Sequence, residues 1–189
     1  MKIKHNTLVW IDLEMSGLDW QKDVIIEAAI VVTDTNLNII TQGPNLIIHQ
    51  PDKILDNMNP WCMEVHGKSG LIEASKKSTI LPEQAEDEIL NFLQLHCEKN
   101  NAALCGNTVW FDKLFLQKDM PRIVDFLHYR IVDVTAFKIM LAQWAGKDIL
   151  FKKNNTHRAL DDIMESIAEL KFYKEHFIKI PDEAHLFKQ

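Results

Sequence analysis

The run Thr7-Leu8-Val9-Trp10-Ile11-Asp12-Leu13-Glu14-Met15 sets two acids inside an otherwise apolar, β-rich segment. Such a run predicts a strand, ended by Ser16-Gly17. Side chains alternate along a strand, so Leu8, Trp10, Asp12 and Glu14 share one face while Val9, Ile11, Leu13 and Met15 share the other. The two carboxylates therefore point the same way, with attachment points ~7 Å apart by strand rise. Like charges in apolar surroundings are costly unless a cation lies between them, and oxygen ligands suit hard divalent cations. The plainer alternative is a strand end whose acids reach solvent or pair with a lysine.

The rest of the chain frames that strand. Ile25 to Thr33 and Leu46 to His49 predict further strands, with Ile39 to Thr41 a partner across the Asp34 to Asn38 turn, together an antiparallel meander. Asn59-Pro60 supplies an N-cap and a first-turn proline for a short helix through Trp61, ended by Gly67. Glu83 to Lys99 carries Ala85, Ile89, Phe92, Leu93 and Cys97 at helical spacing. Ala102 to Cys105 predicts a buried strand and Gly106-Asn107 a turn, with Thr108 capping a helix to about Asp119. Tyr129 to Val134 predicts another strand. Helices follow from about Thr135 to Trp144 and from about Arg158 to His176, the last with Leu160, Ile163, Ile167 and Leu170 on one face. A meander followed by β-α-β-α units predicts an α/β single domain with a mixed central sheet flanked by helices.

Composition supports a globular chain. At 189 residues, with 47% hydrophobic and 25% charged residues and no linker-like run, one domain with a real core is expected across 1–189. Cys62, Cys97 and Cys105 are odd in number and widely spaced, which argues against a disulfide framework or zinc knuckle and favours a reducing cytoplasm. Neither a signal core nor an apolar run of ~20 residues is present, so no membrane partner is expected. The net charge of −6 disfavours a protein gripping long nucleic acid through a basic groove. Two divalent cations at an acidic site would reverse the local field, leaving short oligonucleotides as the compatible ligand.

Further candidates for chemistry are Asp112, His157 and the pair Asp161-Asp162. Asp112 falls in the first turns of the predicted helix after Gly106-Asn107, where the helix dipole favours an anion. His157 stands at or just before the start of the last long helix, followed by Asp161 and Asp162. Five residues of helix rotate by roughly 140°, so His157 and Asp162 converge only if His157 lies in the preceding loop. Periodicity does not choose between Asp161 and Asp162.

Taken in order, Asp12-x-Glu14, Asp112 and His157-x-x-x-x-Asp162 resemble the DEDDh 3′-to-5′ exonuclease superfamily in its oligoribonuclease form. Trp10-Ile11-Asp12-Leu13-Glu14-Met15-Ser16-Gly17-Leu18 looks like the first exonuclease motif. Cys105-Gly106-Asn107 through Asp112 looks like the second, and Thr156-His157 through Asp161-Asp162-Ile163 like the third. His128-Tyr129-Arg130 and Tyr173-Lys174-Glu175-His176-Phe177-Ile178 extend the likeness over nearly the whole chain.

The resemblance implies an RNase H-like fold and takes Asp162 as the fourth carboxylate. It implies two Mg²⁺ or Mn²⁺ ions held by Asp12, Glu14, Asp112 and Asp162, clamping attacking and leaving oxygens at phosphorus. His157 is then the general base, a role suited to imidazole. Leu18 and Trp61 match positions that wedge and stack terminal bases of a short single-stranded RNA, dinucleotides above all. His66 matches a position near the substrate 5′-phosphate, and Tyr129 and Arg130 match residues supplied across a homodimer interface. Thr108 stands where serine is usual, keeping a hydroxyl donor. Trp110-Phe111 and Lys152-Lys153-Asn154-Asn155 depart from the family pattern. The competing readings are a longer-substrate exonuclease, which needs more positive surface, a non-catalytic module keeping the fold, and a phosphohydrolase acting on free nucleotides.

Overall fold

The molecule is described by a computed structural model covering residues 7–149, 151–152 and 157–179. Strands β1 (Leu8–Met15), β2 (Ile25–Thr33), β3 (Ile39–Ile47), β4 (Ala103–Gly106) and β5 (His128–Asp133) form one sheet in the order β3-β2-β1-β4-β5. β1 pairs antiparallel with β2 and parallel with β4, β2 pairs antiparallel with β3, and β4 parallel with β5. This is the mixed sheet predicted. The acidic strand β1 occupies its centre.

The helices are α1 (Asp52–Leu55), α2 (Pro60–Lys68), α3 (Leu71–Lys77), α4 (Pro82–His96), α5 (Trp110–Asp119), α6 (Pro121–Phe126), α7 (Val134–Ala145) and α8 (Ala159–Phe177). Alternation along β1 and β2 sorts them into two layers. Val9, Ile11, Leu13, Ala28, Ile30 and Val32 pack against Ala85, Ile89 and Leu93 of α4, Phe115 and Leu116 of α5, and Ile123 of α6. On the opposite face Leu8, Trp10, Ala29 and Val31 meet Val134 and Leu141 of α7 and Ile163, Ile167, Leu170 and Tyr173 of α8. Asp12 and Glu14 continue the Trp10 row, so they lie on the face that α8 covers. No helix among the described residues is long and apolar enough to cross a membrane.

Several boundaries differ from expectation. The segments read as separate strands at Ile39 to Thr41 and Leu46 to His49 are one strand, β3. Ala29 pairs with Asn45 and Val31 with Gln42, so Gly43-Pro44 oppose Ile30 alone as a bulge. β3 lies at the sheet edge, where a proline costs no ladder bond. Gly43 is required by packing, since a Cβ there would stand 2.6 Å from Ile30 Cγ2 and 2.7 Å from Phe92 Cε1.

Asn59 caps α2 as expected, its Oδ1 accepting from Cys62 N at 2.9 Å, but the helix runs past Gly67 to Lys68. α4 ends at His96 with Cys97 as its C-cap, short of the expected Lys99. Thr108 does not cap α5. It takes a left-handed φ of 54°, and Val109 fills the cap position without a side-chain bond. The short helices α1, α3 and α6 carry too few turns to show a period in sequence.

Candidate active site

The parallel strands β1 and β4 run in the same direction, so Glu14, the Gly106-Asn107 turn and the start of α5 gather at one end of the sheet. α8 begins there too. Ligand atoms of Glu14, His157 and Asp162 all lie within 4.8 Å of one another. His157 sits in the loop before α8 with a left-handed φ of 51°, which turns its ring back towards Asp162. Of the two acids that periodicity left open, Asp161 is exposed and Asp162 is the half-buried one that joins the cluster. Residues 153–156, including Thr156 and most of the lysine-asparagine approach, lie outside the described residues.

Asp112 stands in the first turn of α5, 8% exposed, and its Oδ1 accepts the Leu13 backbone N–H at 3.2 Å. That bond ties α5 to β1 beside Asp12. Burial holds the Asp12 carboxyl well above the ordinary carboxylate range, reinforced by Asp112, Asp162 and Glu14. Glu14 is pushed up to about 8 by burial and then by Asp162, Glu27 and Asp112, with Arg158 opposing. Asp112 rises to about 7, chiefly through burial, against the backbone N–H groups that favour its charged form. The cluster thus gathers more negative charge than the protein alone stabilises. The carboxylate oxygens form a donor set suited to a hard divalent cation, whose charge would relieve this repulsion.

The residues expected around a substrate divide into three groups. Leu18 is 67% exposed and Trp61, at the start of α2, is 55% exposed. Trp61 meets the His157 ring edge-on. His66 is 1% exposed, with its Nε2 3.0 Å from the Met15 carbonyl and its Nδ1 3.9 Å from Glu14 Oε2. Cys62 and His66, one helical turn apart, form the buried side of α2, so His66 faces the carboxylate from inside the protein. Burial accordingly lowers its proton affinity.

Thr108 is exposed beside the turn, its N–H donating to Asp133 Oδ1 and Thr135 Oγ1, both at 3.0 Å. Tyr129 and Arg130 are not brought to this cluster. They begin β5, where His128 pairs with Ala103 and Ala103 with Leu8, at the opposite end of the sheet from Glu14. Tyr129 is 69% exposed there, with the Arg130 guanidinium 5.2 Å from its ring centroid.

Two supports were not foreseen. Asp23 closes the turn carrying Leu18, accepting from Ser16 Oγ at 3.0 Å and Asp19 N at 2.8 Å. Glu27, wholly buried on β2, binds Arg158 next to His157. The available signal for Glu27 was a single acid inside the apolar run Ile25 to Val32. On the far side of the turn, Asn107 Nδ2 donates to Ser166 Oγ at 2.8 Å and to Glu169 Oε2 at 3.0 Å, anchoring it to α8.

Comparison with known proteins places this geometry. Residues 9–170 match the family RNase_T, described as an exonuclease. The oligoribonuclease of Haemophilus influenzae (strain Rd) is 49% identical over 181 residues, covering 95% of this chain and 100% of the relative. The mitochondrial oligoribonuclease of Mus musculus is 52% identical over 174 residues, covering 91% of this chain and 73% of the relative. Among solved structures, exonuclease I from Methylocaldum szegediense superposes with a TM-score of 0.69 at 16% identity, over 90% of this chain and 41% of that one. A zinc-bound complex of E. coli ExoI with single-stranded DNA gives 0.67 at 15% identity, over 91% and 41%. The chain spans about two fifths of those longer structures, and the likeness to them is one of fold, the RNase H-like sheet with its flanking helices.

Proposed function

From the premise that this chain belongs to the oligoribonuclease branch of the exonuclease family, we propose that it is a 3′-to-5′ exoribonuclease of one domain that hydrolyses very short RNA, dinucleotides above all, to 5′-mononucleotides. The observation that carries this reading is the meeting of Glu14, His157 and Asp162 within 4.8 Å, beside the half-buried Asp12 and the buried Asp112. Two Mg²⁺ or Mn²⁺ ions would be held by Asp12, Glu14 and Asp162, with Asp112 supporting the second. When bound, such a pair supplies charge stabilisation to the attacking and leaving oxygens at phosphorus.

The chain's own side chains do the rest. His157 takes the proton of the attacking water on a ring nitrogen, within reach of Glu14 and Asp162. Trp61, exposed and beside His157, offers a face on which a base stacks without being read. Leu18, held out on the turn that Asp23 closes, wedges the neighbouring base. Thr108, exposed just beyond β4, presents its hydroxyl to phosphate.

Tyr129 and Arg130 lie too far along the sheet to serve their own site. We assign them instead to a homodimer in which Tyr129 and Arg130 of the partner subunit close the substrate's 5′ end, Arg through its paired donors. A capped 5′ end limits the pocket to fragments of few nucleotides, in keeping with the net charge of −6. The free thiols of Cys62, Cys97 and Cys105 fit a reducing cytoplasm.

The test compares a dinucleotide, an RNA of ~20 nucleotides and a nucleoside triphosphate, each with and without EDTA. Rapid dinucleotide cleavage abolished by the chelator is expected. Equal rates on the dinucleotide and the longer RNA would remove the length reading, and turnover indifferent to EDTA would remove the metal reading.

A further inference from the structure

We propose that Glu27 is a positioning residue for His157: its ion pair with Arg158 holds the histidine and the start of α8 in register with the carboxylates of β1. The inference rests on the reading of His157 as the base and adds to it a residue outside the exonuclease motifs.

Glu27 is an unusual occupant of its position. It is fully buried, and it stands directly opposite Glu14 in the antiparallel β1/β2 ladder. Like charges directly opposed on neighbouring strands destabilise a sheet. A strand selected for stability alone would carry an apolar residue there, as its neighbours Ala29 and Val31 do on the same row.

The carboxylate is used instead to bind the approach to α8. Arg158 Nε donates to Glu27 Oε2 at 3.0 Å and to Oε1 at 3.2 Å, while Nη2 donates to Oε1 at 2.8 Å. The first helical N–H, that of Ala159, points to Glu27 Oε2 at 3.4 Å. α8 has no side-chain cap of its own, because its cap residue is Arg158. Glu27 therefore acts from another strand as both the guanidinium's partner and the negative charge at the helix N-terminus.

This pair lies between the two groups that must meet Glu14. His157 directly precedes Arg158 and holds a left-handed φ of 51°. A non-glycine residue keeps such a conformation only where the surrounding structure over-determines it. Asp162 follows within the first turn, its N–H donating to the Arg158 carbonyl at 3.0 Å. Fixing Arg158 through a planar, forked contact thus fixes the chain on both sides of it. The guanidinium also offsets the charge of Glu27 seen by Glu14 across the ladder.

The experiment is a double-mutant cycle on cleavage of a dinucleotide at saturating Mn²⁺. Glu27→Gln keeps the side chain's shape and removes its charge. A displacement of ~1 Å at a reacting group costs on the order of 10²-fold in rate, so kcat is expected to fall by about that factor with KM within about twofold. In a His157→Ala background the same substitution is expected to cost markedly less, because one of the two groups it positions is already gone. Arg158→Lys, which keeps charge and loses the fork, should show a smaller kcat loss of the same kind, and it carries the cycle if Glu27→Gln fails to fold.

The inference is overturned if a folded Glu27→Gln variant turns over at the wild-type rate. It is also overturned if the substitution costs as much without His157 as with it, since that is the signature of general destabilisation. If His157→Ala itself retains wild-type turnover, the base assignment fails, an outcome distinct from a Glu27→Gln variant that is silent while His157→Ala is inactive.

Discussion

The indole of Trp61 and the imidazole of His157 meet edge to face, with 5.7 Å between ring centroids and 87° between ring planes. One ring stands at the start of α2, the other in the loop before α8. Their contact joins the surface proposed to hold a base to the group proposed to take a proton. An aromatic pair of this geometry is favourable beyond its buried area. It orients the indole, which stays 55% exposed.

Trp61→Ala should weaken substrate binding more than it slows the chemical step. Stacking is worth about 1–3 kcal/mol per base, so KM for a dinucleotide should rise by roughly 5- to 150-fold. The side chain is 55% exposed, so the melting temperature should hardly move. Steady-state kinetics with a thermal melt decides this, and a variant with unaltered KM removes the stacking role.

His157→Ala should lose about 10²- to 10⁴-fold in kcat, the usual contribution of a positioned base. The carboxylates remain, so Mn²⁺ affinity measured by calorimetry should stay within a few-fold of wild type. Affinity falling in proportion to turnover would make His157 a ligand in place of a base.

Stability of the cation-free protein should fall as pH rises. Glu14 moves from 4.5 to about 8 and Asp112 from 3.8 to about 7, with burial the chief cause in each. Between those limits the folded chain holds protons that the unfolded chain has released. Their stabilising contribution is complete below about pH 4 and is lost as pH climbs through about 7 to 8. In EDTA the melting temperature should drop between about pH 5.5 and pH 8.5, and Mn²⁺ should restore it most at the alkaline end. A cation-free melt that rises over that interval contradicts the prediction.

Gly17→Ala should disturb the turn that carries Leu18. A Cβ at residue 17 would lie 2.3 Å from Asp23 Oδ2, forcing that carboxylate away from Ser16 and Asp19. Crowding of this kind costs about 1–3 kcal/mol. A lowered melting temperature with a raised KM is the expected pair of results, and a variant matching wild type in both shows that the turn yields freely.

Tyr173→Phe should destabilise without altering the site's chemistry. The buried Tyr173 hydroxyl donates to Glu169 Oε1 at 2.7 Å. Loss of a buried donor to a charged acceptor costs about 1–3 kcal/mol, visible as a shift in denaturation midpoint with kcat preserved. An unshifted midpoint means that the remaining partners of Glu169 suffice.

Alternation within Thr7 to Met15 was enough to put Asp12 and Glu14 on one face, and the α8 periodicity enough to set Ile163, Ile167 and Leu170 on one side of the helix, the side that is buried. Both follow from local geometry, which repeats along the chain and so can be read from it. The continuity of β3 was hidden because Gly43-Pro44 reads as a break until the pairing of β2 absorbs it as a bulge. Asp162 was separated from Asp161 by the resemblance and by the fold, since the difference rests on how far His157 turns back at φ 51°. The inward set of His66 and the Glu27–Arg158 pair were likewise legible only in three dimensions. Amino-acid order by itself determined which residues could line one face of each element. Which faces meet was decided by tertiary packing, because contact between distant segments depends on strand order and helix placement, quantities that no local period encodes.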